Sequence, residues 1–208
     1  MKILFQGDSI TDVGRNEEKG STISIGQGYA LMVAGDLGAK YPGRFTFVNK
    51  GVSGNRIVDL YARIKTDVWN EKPDVLSILL GINDVWHDVM FDNGVDNDRF
   101  YEMYSIIVKH TKQILPDVKI MLLEPFVLKT GETVERWEFF DTETRLRQDS
   151  VKRVALENEL LFVPLQERFD RACEKAEASY WIRDGVHPTP AGHRLIADAY
   201  EEALLSIV

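Results

Sequence analysis

Short apolar runs alternate with helix-length amphipathic stretches along this whole chain, and few folds accept that pattern. A strand buried on both faces reads as a nearly continuous apolar run, and strands separated by helix-length segments are joined by crossovers and so run parallel. The pattern predicts strands at 2–6, 45–49, 74–80, 119–124 and 160–164, with helices near 29–40, 57–69, 99–115, 144–158 and 190–205. In the last of these Leu195, Ile196, Ala199, Ala203, Leu204 and Ile207 share one face, Thr189 is suited to the N-cap and Pro190 to the first turn. The expectation is a three-layer α/β/α sandwich around a parallel, roughly five-stranded sheet. A chain of 208 residues, 44% of them hydrophobic, fills one such core, so a single domain over 1–208 is expected. The stretches 86–98, rich in Asp and Asn, and 127–141, with Trp137, Phe139 and Phe140, read as long loops.

Composition excludes several partners. A net charge of −8 without a basic run argues against nucleic acid and against an anionic membrane surface. Cys173 is the only cysteine, so neither an intramolecular disulfide nor a cysteine metal site is expected. Asp92, Asp96 and Asp98 with His87 miss the spacing of a calcium loop and read as a solvated acidic loop. Neither a cofactor nor a metal is therefore expected. No apolar run approaches the roughly 20 residues that span a bilayer. A cleavable signal peptide takes roughly 15 to 30 residues and would remove any functional group near the start of the chain, so an intracellular, cytoplasmic protein is expected.

Four segments carry chemistry: Gly7-Asp8-Ser9-Ile10, Gly51-Val52-Ser53-Gly54-Asn55, Gly81-Ile82-Asn83-Asp84 and Asp184-Gly185-Val186-His187-Pro188. The first three fall at strand ends or in loops, where an open parallel sheet collects its site residues at the carboxyl edge. The fourth follows no strand and is expected to be carried over that edge by the terminal helix. Ser9 lies just past the first strand, after a glycine that permits a tight turn, although Asp8 and Ser9 equally suit a helix cap. Asp184 and His187, three apart, let one turn set a carboxylate against an imidazole whose other nitrogen faces a serine; the plainer reading is a surface turn with an incidental ion pair. Gly54 offers a backbone N–H and Asn83 a side-chain amide, and both also suit ordinary turns. Together the set supplies a nucleophile, a base, an orienting acid and oxyanion donors, the parts needed for acyl transfer by an activated serine.

With these segments in this order the chain resembles the SGNH superfamily, the GDSL esterases and lipases, over residues 3–188. The resemblance implies the SGNH-hydrolase, flavodoxin-like form of the sandwich. It also implies Ser9 as nucleophile, Asp184 and His187 as the other triad members, and an oxyanion hole formed by Ser9, Gly54 and Asn83. The one departure, Ile10 for the leucine of the family motif, exchanges isomeric aliphatics. The stretches 7–12, 48–55 and 81–86 are similar to those of intracellular acetylxylan esterases, which implies a small acyl ester, acetylated sugar foremost, as substrate, and a homo-oligomer. Asp8, Trp86, Trp137 and Trp181 are candidate sugar contacts, beside the plainer reading of the tryptophans as packing.

Rival readings keep the same residues. A lysophospholipase or thioesterase would use the same triad but need an apolar groove, and the loops after Asn83 and Phe126 are polar. A non-catalytic carbohydrate-binding relative would use the same cleft, yet binding alone gives no reason to keep nucleophile, base and acid together. There is no G-x-S-x-G elbow to make Ser53 a nucleophile, and Gly26-x-Gly28 lacks both the third glycine and the preceding strand of a dinucleotide site. His110 and His193 fall on predicted helices and read as structural or exposed.

Overall fold

The computed structural model describes residues 1–16, 18 and 23–208. Five parallel strands form one sheet in the order β2-β1-β3-β4-β5: β1 (Lys2–Gly7), β2 (Thr46–Asn49), β3 (Val75–Leu79), β4 (Lys119–Leu123) and β5 (Leu161–Val163). The chain leaves β1 in one direction to build β2 and later returns on its other side to build β3. The switch point between β1 and β3 opens a crevice at their carboxyl ends, the place where such sheets bind ligands. Both faces are covered because successive strand residues point to opposite sides. Ile3, Phe5, Val75, Leu79, Met121 and Leu123 join one core, while Leu4, Leu76, Ile78, Ile120 and Leu122 join the other. The first core is roofed by α2 (Tyr29–Lys40), α7 (Gln166–Cys173) and α9 (Pro190–Leu205); the second by α3 (Ile57–Ile64), α5 (Asn97–Ile114) and α6 (Trp137–Glu157). Ser77 is the polar exception inside β3, and it is satisfied by Leu4 O at 3.3 Å and the Tyr200 hydroxyl at 3.2 Å.

The predicted strands and helices are present with ends shifted by a few residues, and the segment predicted as a helix over 57–69 finishes in a π-helical stretch, Lys65–Trp69. The two predicted loops are corrected. Residues 86–91 belong to α4 (Ile82–Phe91) and Asn97 and Asp98 open α5, so only 92–96 is a loop; α4 buries Ile82 and Val85, with Trp86 and Val89 packed against the same core. Acidic and amide residues between those positions disguise the stripe. The stretch 127–141 is a loop with one 3₁₀ turn, Gly131–Thr133, only as far as Arg136, where α6 begins. Phe140, Thr144, Gln148, Val151 and Ala155 are buried along one face of α6, and the two polar members conceal its first half from a hydrophobic pattern. Three further helices, α1 (Ser9–Asp12), α7 and α8 (Ala178–Trp181), lie outside the predicted ones.

Candidate active site

Gly7 ends β1 and Asp8 caps α1, its Oδ1 accepting the Ile10 N–H at 2.9 Å, so Ser9 opens a helix at the sheet edge. The turn is tight enough that a Cβ on Gly7 would lie 2.2 Å from Thr11 Oγ1 and 2.7 Å from Leu79 O. At the other end of the chain the Asp184–His187 turn is pinned between α8 and α9 by an antiparallel bridge of Ile182 with Pro188 and by the Arg183 N–H on His187 O at 2.9 Å. It brings His187 Nε2 to 2.8 Å from Ser9 Oγ. His187 Nδ1 lies 2.8 Å from Asp184 Oδ2, while Asp184 Oδ1 accepts the backbone N–H groups of His187 at 2.8 Å and Val186 at 3.2 Å.

Electrostatics follow from these contacts. The hydrogen bond to Asp184 lifts the His187 pKa above its ordinary value, against burial, which lowers it. Burial alone would raise Asp184, but the hydrogen bonds from the His187 ring and backbone and from Val186 overcome it and hold the carboxyl well below the usual carboxylate range. The result is a carboxylate, an imidazole and a hydroxyl aligned so that Nδ1–H donates to Asp184 and Nε2 can accept the serine proton.

The segments that carry Gly54 and Asn83 meet the end of β1 at the same edge, through the Val52 N–H on Gly7 O at 3.0 Å and the Asn83 amide on Asn55 O. Among the described residues neither the Ser9 nor the Gly54 backbone N–H donates to a protein acceptor. Asn83, in the first turn of α4 and 9% exposed, gives one amide hydrogen to Asn55 O at 3.1 Å, which orients the group and leaves its second hydrogen free. Gly54 is a glycine because its φ is +80°, not because space is short: a Cβ there would meet nothing within 4 Å. Arg63 ties the 50–55 loop to the end of β1, reaching Asn55 Oδ1 at 2.6 Å, Lys50 O at 2.9 Å, Gln6 Oε1 at 2.8 Å and Gly7 O at 3.3 Å. Nothing in the spacing of the sequence announces that role. Behind the donors, Asp84 is fully buried and takes the Ile57 N–H at 3.0 Å.

The match of the GDSL-like lipase/acylhydrolase family model covers residues 5–195. The chain belongs to that family. It is a carboxylic ester hydrolase, and its relatives agree with that reading. An acetylxylan esterase from Geobacillus stearothermophilus is 38% identical over 206 residues, which is 96% of this chain and 91% of that protein. Among solved structures, a GDSL-like lipase from Parabacteroides merdae superposes with a TM-score of 0.92 at 37% identity, covering 97% of this chain and 94% of that one. The crystal structure of an acetylxylan esterase from Geobacillus stearothermophilus has a TM-score of 0.85 at 37% identity, with 98% and 93% covered.

Candidate sugar contacts fare differently. Asp8 is corrected: it is 0% exposed and so offers a ligand no surface, its role in the fold being the cap of α1. Burial pushes its pKa up to about 7. Trp181 faces a cavity between α7 and α9 lined by Pro164, Arg168 and Leu195. Trp137 lies on a surface depression with Lys129 and Phe139. Trp86 packs on Phe140 with ring centroids 5.4 Å apart and faces a cavity of about 510 Å³ that also touches Gly131 and Glu132. None of the three tryptophans lines the cavity at Ser9. Among the described residues no His, Cys, Asp and Glu side chains group as a metal ion requires, and no helix is long and apolar enough to cross a membrane.

Proposed function

We propose that this esterase removes short acyl groups, acetyl foremost, from acetylated xylo-oligosaccharides, with Ser9 as nucleophile, His187 as base and Asp184 as orienting acid. The observation that carries the reading is the unbroken relay from Ser9 Oγ through His187 to Asp184, both links 2.8 Å, beside the Ser9 and Gly54 backbone N–H groups, which have no acceptor among the described residues. Ser9 Oγ attacks the ester carbonyl while Nε2 takes its proton, and the carbonyl oxygen, now negative, is held by the Ser9 and Gly54 N–H groups and the free Asn83 amide hydrogen. Collapse expels the alcohol, which receives the proton from Nε2, and leaves an acyl group on Ser9. Water then attacks that acyl group, gives a proton to Nε2 and releases the acid as the proton returns to Ser9. Acetylated xylan fragments are the favoured substrate because the relative that matches 96% of this chain is an acetylxylan esterase.

A panel of nitrophenyl esters from acetate to decanoate, run beside acetylated xylo-oligosaccharides, tests the reading. It predicts the highest kcat/KM for acetate in the ester series and release of acetate from the oligosaccharides. A preference for octanoate would favour a lipase, and silence on every ester would favour a binding protein.

A further inference from the structure

The cavity beside Ser9 has a volume of about 480 Å³ and is lined by Ser9, Val13, Gln27, Arg183, His187 and His193 among others, with neither Gly54 nor Asn83 in its wall. That asymmetry has a chemical meaning. During ester hydrolysis the carbonyl oxygen points at the oxyanion donors, whereas the leaving oxygen must reach the imidazole that protonates it. An alcohol leaving an acyl group on Ser9 therefore departs on the His187 side, into this cavity.

His193 is built into the wall of that cavity. It is 6% exposed, its Nδ1 accepts the Tyr29 backbone N–H at 3.2 Å, and its ring stacks on Tyr29 with centroids 6.4 Å apart. The Tyr29 amide is one of the donors left unmatched at the start of α2, so His193 completes that helix end. A nitrogen that accepts carries no proton, so the neutral ring holds its proton on Nε2. Burial, aided by the nearby His187, depresses the His193 pKa to about 4 and keeps the ring neutral where His187 works as a base. Nε2 itself has no partner among the described residues. A donor locked in one tautomer, without a protein partner and still accessible, on a residue that lines the cavity at Ser9, is suited to a ligand oxygen.

We propose that this cavity holds the alcohol half of the ester, a hydroxyl-bearing sugar unit, and that His193 donates a hydrogen bond from Nε2 to one of its oxygens, with Gln27 at the open edge. The inference rests on the carbohydrate reading above and adds the residue that selects for it. A nitrophenolate leaving group brings no hydroxyl to that donor and gains nothing from it.

The test compares kcat/KM on acetylated xylo-oligosaccharides with kcat/KM on nitrophenyl acetate as a ratio, so that losses common to both substrates cancel. In His193→Asn the amide oxygen can stand near Nδ1 and take the Tyr29 N–H, but nothing replaces Nε2. The ratio should fall by about tenfold or more, the usual effect of losing one well-placed hydrogen bond at a buried site. His193→Gln, whose amide reaches toward the Nε2 position, should recover part of it. Gln27 is exposed, so Gln27→Ala keeps the idea falsifiable should the His193 variants fail to fold, and it should lower the ratio a few-fold. Unchanged ratios in folded variants would overturn the assignment of the cavity while leaving the carbohydrate reading intact. A parent enzyme that cleaves nitrophenyl acetate but releases no acetate from the oligosaccharides would overturn both.

Discussion

Replacing Asp184 by Asn changes one atom, and the hydrogen bonds around it dictate which. Oδ1 takes two backbone donors, the N–H groups of His187 at 2.8 Å and Val186 at 3.2 Å, while Oδ2 faces the ring at 2.8 Å. An amide that turned its oxygen to the ring would set its NH₂ against both backbone donors and forfeit two hydrogen bonds, each worth roughly 1 kcal/mol net and more where burial leaves the donor unmet. The oxygen therefore stays with the backbone and the NH₂ confronts Nδ1. Nδ1 must then accept, the ring proton moves to Nε2, and the nitrogen facing Ser9 can no longer take its proton. The same exchange in a well-studied serine protease triad lowers turnover by about 10⁴, and a loss of that order is expected here with KM little changed. Removing the carboxylate also removes the main cause of the raised His187 pKa. Parent activity should accordingly rise with pH through a midpoint above the ordinary histidine value, and residual activity in Asp184→Asn should rise through a lower one. Nitrophenolate release followed from about pH 5 to about pH 9 measures both. A variant within tenfold of the parent, or one with an unmoved midpoint, would refute this account of the turn.

Asn83→Ala should lower kcat by on the order of 10² to 10³, about 2.7 to 4 kcal/mol of transition-state stabilisation, because it removes one oriented oxyanion donor; steady-state kinetics showing a change of only a few-fold would remove Asn83 from the hole. Asp8 holds its proton more tightly folded than unfolded, since burial moves its pKa from 3.8 to about 7, so its favourable contribution is complete below the unfolded value and is lost as pH rises through the folded one. Asp8→Asn keeps an oxygen for the Ile10 N–H and never ionises, so denaturant titrations should find it stabilising by up to about 4 kcal/mol at pH values above the folded pKa and near neutral at low pH. An equal effect at both ends of that range would contradict the buried carboxyl as described.

The sheet was legible because each strand is a short apolar run set off by turn residues, and the helices 29–40 and 190–205 because their apolar stripes are uninterrupted. The beginning of α6 was not, since Thr144, Arg147 and Gln148 are buried polar residues that break a hydrophobic period while packing as part of it. The short helices α1 and α8 hold too few residues for a period to show. In the site, Ser9, Asp184 and His187 were legible only as members of an ordered set of four segments, since each alone suits a helix cap or a surface turn. His193 was not, because a histidine on a helix gives no sign of which way its second nitrogen faces until Tyr29, from a distant part of the chain, fixes its tautomer. Arg63 escaped for the same reason: its partners Gln6, Gly7, Lys50 and Asn55 lie on separate segments. Asp8 was misjudged because proximity in sequence to the nucleophile does not distinguish a residue facing the ligand from one buried beneath it.

The claim on which everything rests is that Ser9 is the group activated by His187. Ser53, the other serine in a site segment, has its hydroxyl on Asp12 Oδ2 at 2.7 Å and no histidine beside it among the contacts described. Incubation with a fluorophosphonate, followed by peptide mass mapping, separates the two directly. A single adduct on Ser9 is expected, appearing in step with loss of esterase activity. An adduct on Ser53, or full inactivation with Ser9 unmodified, would contradict that claim.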